Sequence, residues 1–364
     1  MKIRKVIMVA LATTMLVAKA STVHASSWRV NNDATKKAHF VDINAAMASE
    51  EVQAGDTLYL DPGISEATNS DVTQTISKSV TIIGPGWNNH SAYGSFTFKG
   101  NPNIYARRGY DIYVTAANCK LEGIIFDDVC TLHIQSDYVT IERCKILYNL
   151  NVSEYSRPAR HVTVRNCWIN SSSCLNGYEQ NNNEYCTIEN NVIITTSSSC
   201  IYNFKNATIR NNYLYYTPVG SYSTKNCTEL TNCTITDNII IRNGADYHSD
   251  LFGNLTNCTV NNNILSCAEG TYPEYPDNKC IDSFDLSTIF TMEGEDGDYY
   301  RLTADSPAKG YATDGGDCGI FGGAYPYVAG GLPYGHPYYT RVVVGSTAHD
   351  GKLNVSLKVK MQDE

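Results

Sequence analysis

The feature that most constrains this chain is a short pattern written many times over. An apolar–Thr–apolar triplet opens "VTIERCKI" at Val139, "VTVRNCWI" at Val162, "CTIENNVI" at Cys186, "ATIRNNYL" at Ala207, "CTITDNII" at Cys233 and "CTVNNNIL" at Cys258. The successive steps are 23, 24, 21, 26 and 25 residues. A looser copy, "CKLEGIIF", begins at Cys119, and "VTIIGPG" from Val80 and "FTFKG" from Phe96 read as still earlier rungs. Self-similarity at this period is the mark of a solenoid, in which each unit stacks on the next because it cannot bury its apolar face alone.

Within a rung, the alternation predicts a strand with one buried face. Val139 and Ile141, or Cys233 and Ile235, point inward and the Thr between them points out. Three residues beyond the triplet stand Cys144, Cys167, Asn191, Asn212, Asn238 and Asn263. Asn tolerates left-handed backbone and bonds neighbouring backbone groups, so a column of Asn at one bend predicts an asparagine ladder. Cys119, Cys186, Cys233 and Cys258 share the first inward position, where Cys behaves as a small hydrophobe. Most of the 13 Cys are therefore expected as free, buried thiols; the odd count already forbids full pairing within one chain. The same repeat accounts for Asn206, Asn232 and Asn257, each of which opens an Asn-x-Thr sequence just before an inward residue. A structural role is the expectation there, ahead of glycan acceptance.

The N-terminus reads as an export leader: Lys2, Arg4 and Lys5, an apolar run from Val6 to Val17, then small-residue cleavage contexts. The run is too short for a bilayer-spanning helix. Cleavage is expected after Ala25, giving a secreted protein of the periplasm, cell surface or extracellular space. Losing Lys2, Arg4, Lys5 and Lys19 and no acidic residue takes the net charge from −9 to −13. Nucleic acid and anionic membranes are poor partners for such a chain, and no membrane insertion is expected. Charged residues make up only 18%, while the 26 Tyr suit a β-rich exterior on which sugars stack. Residues 26–323 are expected as the solenoid domain and 324–364 as a Gly/Pro/Tyr linker followed by a β-hairpin appendage around His349-Asp350-Gly351. The apolar face Leu353, Val355, Leu357 and Val359 should pack on the solenoid or on a partner. At the other end, Asp42 caps a helix predicted from Ile43 to about Gln53, which would cover the open end of the core.

The N-terminal block from Trp28, "ISKSVTIIGPG" and the Asn-bearing rungs resemble the right-handed parallel β-helix of pectin-lyase-like proteins. The stretch "YYRLTADSPAKGYATDGGDCGIFGG", Tyr299 to Gly323, resembles the closing coil of secreted β-helix proteins from Bacteroidetes-type bacteria. The resemblance implies an all-β, three-sheet solenoid of about ten coils, with an N-terminal capping helix and a C-terminal β appendage. It also implies interaction with polysaccharide in a groove along one sheet, either with turnover, as a lyase or glycoside hydrolase, or without it. A structural or adhesion component is the further alternative. By resemblance alone, calcium is the one possible cofactor; no Cys, His or Asp cluster with metal-ligand spacing marks a site, and none is identified.

The polygalacturonase-like pattern is missing: Asp127-Asp128 is an adjacent pair with no Gly-His-Gly or Arg-x-Lys after it in the rungs. Irregular insertions at 149–161, 176–185 and 243–250 are expected as loops on a rigid scaffold, the usual seat of function. They and the lean "IYNFKN" place Arg157, Arg160, Glu179, Lys205, His248 and Asp250 as candidate catalytic residues. Tyr178, Tyr202 and His133 are candidate substrate-binding residues. Substrate and oligomeric state are not legible.

Overall fold

The computed structural model describes residues 25–66, 73–87, 96–99, 110–127, 130–153, 157–171, 175–177, 183–196, 199–217, 225–243, 251–281, 285–294, 296–332, 338–349 and 352–360. Three parallel sheets of ten, ten and eight strands wind into one right-handed β-helix. The first sheet holds the repeated triplets, from Ser27–Val30 and Thr57–Leu60 to Thr259–Asn261. The second runs from Gly63–Glu66 to Lys279–Cys280, and the third from Gln74–Ile76 to Leu255–Thr256. Among the described residues eight coils have a strand in every sheet, against about ten expected. The first rung, Ser27–Val30, and the last, Thr259–Asn261, lack a third-sheet strand of their own.

The triplets fold as their alternation requires. Leu121, Ile141, Val164, Ile188, Ile209 and Ile235 lie in register across neighbouring strands and are all buried. "FTFKG" is a strand, Phe96–Lys99, but it belongs to the second sheet, between Gly63–Glu66 and Ile125–Phe126. Its alternation was legible; which of three sheets it joined was not. Part of two expected loops is also strand: Leu150–Val152 and Leu175–Gly177 are consecutive third-sheet rungs. Leu150, Val152 and Leu175 are buried, which pulls these segments into the ladder.

The asparagine ladder is present and longer than expected. Asn191, Asn212, Asn238 and Asn263 each donate through Nδ2 to the Oδ1 of the next member, at 2.9–3.0 Å, and the series ends at Asn278. Each Nδ2 also bonds the central carbonyl of the preceding rung, as Asn212 does at Ile188 O, 2.8 Å. Cys144 and Cys167 occupy the same column and direct their thiols at the equivalent carbonyls, Leu121 O and Ile141 O, both 3.6 Å. The left-handed residue of the bend is the one before the ladder position: Arg143, Asn166, Asn190, Asn211, Asp237 and Asn262 all have positive φ. The twelve described cysteines are free and ten are buried; Cys267 and Cys280 Sγ lie 2.7 Å apart on the last rungs.

The capping helix spans Ile43–Ala48, shorter than the expected reach to Gln53. Asp42 accepts from Ala45 N at 2.6 Å, as a cap should. The helix stops because the chain must turn: Val52 is buried in the core, and Gln53 N donates to Asp56 Oδ2 at 2.9 Å. Ile43, Ala46 and Met47 join the core, and Asn44 bonds Thr73 O and Thr75 N, so the helix sits beside the first third-sheet strand.

The C-terminal stretch does not close the far end of the rod as a coil. Residues 289–294 and 296–332 run back along its flank and cover the outer face of the second sheet. Val192, Tyr213, Ile239, Ile241 and Ile264 on that face pack with Ile289, Phe290, Tyr300, Ala308, Ile320 and Tyr327 in a second apolar cluster. The left-handed bend residues hold the strap: Asn190 Nδ2 bonds Ile320 O and Gly322 O, Asp237 Oδ1 accepts from Thr313 N, and Arg143 Nη1 reaches Leu332 O at 2.7 Å. Beyond it Tyr338–His349 and Lys352–Lys360 form an antiparallel pair that no strand of the rod extends. On its apolar face Val355 and Leu357 are 53% and 51% exposed in the single chain.

Candidate functional site

The outer face of the third sheet carries the residues of interest. Its strands Tyr110–Val114, Cys130–Ile134, Leu150–Val152, Leu175–Gly177, Ile201–Lys205 and Cys227–Thr231 stack in that order. Leu132, Leu150, Leu175, Ile201 and Cys227 fill the inner column and are buried. Alternation then turns Tyr113, His133, Asn151, Asn176, Tyr202 and Thr228 outward in one register column. His133 and Tyr202 thus share one column, three strand spacings or about 14 Å apart. His133 faces out as expected, yet it is only 6% exposed. The Tyr113 ring stacks on it at 4.5 Å, and Asp111 Oδ1 is 3.5 Å from Nε2.

One position after Tyr202 the sheet kinks. Asn203 and Glu229 adopt left-handed backbone, φ 62° and 54°, on adjacent strands. Gly177 precedes them in the sheet because Asn183 Nδ2 crosses there to bond Asn203 O at 2.5 Å; a Cβ on Gly177 would meet that nitrogen at 1.6 Å. Beyond the kink the three strands stay paired, Lys205 with Thr231 and Thr231 with Thr256, and their outer side chains border a cleft of about 310 Å³. Lys205, Glu229, Asn183, Asn254, Thr231 and Thr256 supply its polar walls. Asn254 Nδ2 donates to Glu229 Oε1 at 2.5 Å, which fixes the carboxylate between two rungs. Among the described residues Lys205 makes no ion pair, and its side chain is exposed. The cleft therefore offers amide, hydroxyl, ammonium and carboxylate groups together. Chemically it can hold a hydroxyl-rich ligand, and it sets a cationic and an anionic side chain against the same space.

Of the candidate residues, the structure brings Lys205 and Tyr202 to this cleft or its edge. Arg157 and Arg160 lie on the turn that follows Leu150–Val152 and do not line it. Arg160 is held by Asp137, through Nη2 at 3.1 Å and its backbone N–H at 2.8 Å, and Arg157 bonds Gln135 Oε1 at 3.3 Å. These contacts join consecutive rungs. Tyr178, Glu179, His248 and Asp250 lie outside the described residues. No group of three or more His, Cys, Asp or Glu side chains placed to hold a metal ion occurs among the described residues.

Glu229, Asn254, Asn183, Thr231 and Thr256 were not singled out from the sequence as site residues, although a signal for four of them was there. "ELTNCT" from Glu229 and "NLTNCT" from Asn254 are the same hexapeptide except at the first residue. Leu230 pairs with Phe204 and Leu255, so the columns are Asn203, Glu229 and Asn254 on one side and Lys205, Thr231 and Thr256 on the other. These two columns are most of the cleft wall. Aligning the repeat on the third sheet, and not on the first, would have exposed them.

No family model matches this sequence, and no curated protein matches it. Among solved structures, the chain is similar to pectate lyase Bsp165PelA from Bacillus sp. N165, solved in complex with trigalacturonate. The TM-score is 0.40 at 13% identity, over 77% of this chain and 89% of that one. It is also similar to pectate lyase Pel9A, with a TM-score of 0.39 at 15% identity over 81% of this chain and 96% of that one. No helix among the described residues is long and apolar enough to cross a membrane.

Proposed function

We propose that this is a secreted β-helix protein that binds polysaccharide along the outer face of its third sheet, anchored in the Lys205–Glu229 cleft. The observation that carries the reading is the cleft's wall. A sugar chain presents hydroxyls that both donate and accept, and Asn183, Asn254, Thr231, Thr256, Lys205 and Glu229 answer with both kinds of group. Tyr202 on the same strand as Lys205 adds an amphipathic ring at the edge. The leader expected over residues 1–25 places the protein outside the cytoplasm, where such a ligand is met.

Turnover is the second reading, and one observation favours it. Lys205 and Glu229 come from neighbouring rungs and line one space, which supplies the residue types that proton abstraction and donation require.

The test is migration of the purified protein through gels that each contain one polysaccharide, with new reducing ends and unsaturated-uronate absorbance followed in parallel, with and without calcium. Retention is expected for at least one glycan and should weaken roughly tenfold in Lys205→Ala or Glu229→Gln. Product lost in the same variants would establish turnover in the cleft. No retention in any gel would overturn the reading and leave a structural or surface role.

A further inference from the structure

The turn that leads from the third sheet back to the first is left-handed in every described rung from the third onward: Asn118, Tyr138, His161, Tyr185, Asn206, Asn232 and Asn257 have φ between 51° and 60°. Asn suits this conformation and fills four of the seven positions. Three consecutive rungs instead carry aromatic rings, at a backbone cost of about 1 kcal/mol each that Asn would largely avoid. The rings stack along the rod. Tyr138 and His161 are 4.7 Å apart and 4° from parallel; His161 and Tyr185 are 5.3 Å apart and 13° from parallel. The stack is not core, since Tyr138 and Tyr185 are 54% and 53% exposed.

The stack stops at Tyr185, because the next rung has Asn206 and no ring. Asn206 is smaller than a ring, so the outer face of Tyr185 has no aromatic neighbour among the described residues, and that face adjoins the cleft: Tyr185 N–H bonds Lys205 O at 3.3 Å, and Asn183 and Lys205 line the cleft wall. One charge precedes each ring and the Asn that follows them, and the signs alternate: Asp137, Arg160, Glu184 and Lys205 precede Tyr138, His161, Tyr185 and Asn206. With Glu229 across the cleft, the surface has no net positive charge to hold a polyanion, and the chain as a whole is at −9.

We infer that Tyr185 is a sugar-stacking platform and that its ligand is an uncharged glycan, one pyranose ring of which continues the Tyr138–His161–Tyr185 stack above Asn206. The C–H face of the sugar lies on the phenol ring, and its hydroxyls reach Lys205 and Glu229. This rests on the reading of the cleft as a polysaccharide site and adds its aromatic floor and its ligand class.

The test uses the purified protein in affinity gels of neutral glucan, mannan and xylan alongside polygalacturonate. Tyr185→Asn installs the residue that the column prefers, so the fold is expected to hold; a melting curve matching the parent checks this. Tyr185→Trp keeps a flat ring. Binding to a neutral glycan that falls roughly tenfold in Tyr185→Asn, survives in Tyr185→Trp and is untouched in Tyr138→Asn is the expected result. Neutral-glycan binding that is lost in Glu229→Gln but unchanged in Tyr185→Asn would overturn the platform and leave the cleft reading standing. Retention by polygalacturonate alone would overturn the ligand class. Retention by no glycan would remove both.

Discussion

At the scale of single residues, the backbone conformation of the turns decides much of the composition. Asn206, Asn232 and Asn257 sit at φ 51°, 53° and 51°, in the region where a side chain with a β-branch collides with its own backbone. The Thr two residues on is the outward residue of the next strand. The Asn-x-Thr sequences thus follow from a left-handed turn joined to an alternating strand, and glycan acceptance is not needed to explain them. The expectation is specific. Asn232→Gly should unfold in urea within about 0.5 kcal/mol of the parent, because Gly accepts positive φ freely. Asn232→Val should lose about 2 kcal/mol at the same exposed position. Equal stability of the two variants would mean that the turn is not what selects Asn.

At the scale of the strand and its bend, a row of charges with buried carboxylates lies at the outer end of the first sheet. Glu122, Glu142, Arg165, Glu189 and Arg210 occupy one register column. Lys120 Nζ lies 2.8 Å from Glu122 and 3.0 Å from Glu142, Arg165 Nε lies 3.1 Å from Glu142, and Arg210 Nη2 lies 2.7 Å from Glu189. Burial by itself would raise the Glu142 carboxyl, but the hydrogen bonds and charges of Arg165 and Lys120 outweigh it and hold it below its ordinary value. A carboxyl depressed in the folded state stabilises fully above its unfolded pKa, and the contribution fades as pH falls below about 4.3. Thermal melts taken downward from pH 7 should therefore show an acid loss that Glu142→Gln makes shallower. That variant should also be about 2 kcal/mol less stable at pH 7, where Lys120 and Arg165 lose their shared partner. An acid profile unchanged by the substitution would assign the loss to other carboxylates. This charge row was not read from the sequence, whereas the triplets and the Asn column beside it were. Triplets and Asn repeat at one fixed offset, so local alternation reveals them. The charge row depends on which residues from successive rungs meet, and the cleft columns Asn203–Glu229–Asn254 and Lys205–Thr231–Thr256 were hidden for the same reason. Third-sheet rungs such as Leu150–Val152 fall within stretches of uneven length, so the spacing that marks the first sheet is blurred there.

The whole molecule is a rod with a strap, and the strap was the part least legible in the chain. Contacts such as Asp237 to Thr313 and Arg143 to Leu332 join residues 76 and 189 positions apart, and no local periodicity records such a pairing. One indirect sign exists. "NIIIR" from Asn238 has three consecutive isoleucines, Ile239, Ile240 and Ile241, all buried, which means that the strand is covered on both faces. Ile240 faces the rod's interior, while Ile239 and Ile241 lie with Val192, Tyr213 and Ile264 under the strap. Five such side chains at about 2 kcal/mol each amount to roughly 10 kcal/mol, comparable with the net stability of an ordinary domain. A chain ending after residue 285 should therefore expose that face and accumulate as insoluble protein. A chain ending after residue 337 keeps the strap, including Leu332 on Arg143, and loses only a hairpin whose strands pair with each other. It should stay soluble and melt within about 3 °C of the full chain. Solubility and melting curves of the two truncations decide the matter. If the longer chain melts far below the parent, the hairpin is part of the rod's stability, and if the shorter one stays soluble and folded, the strap is not.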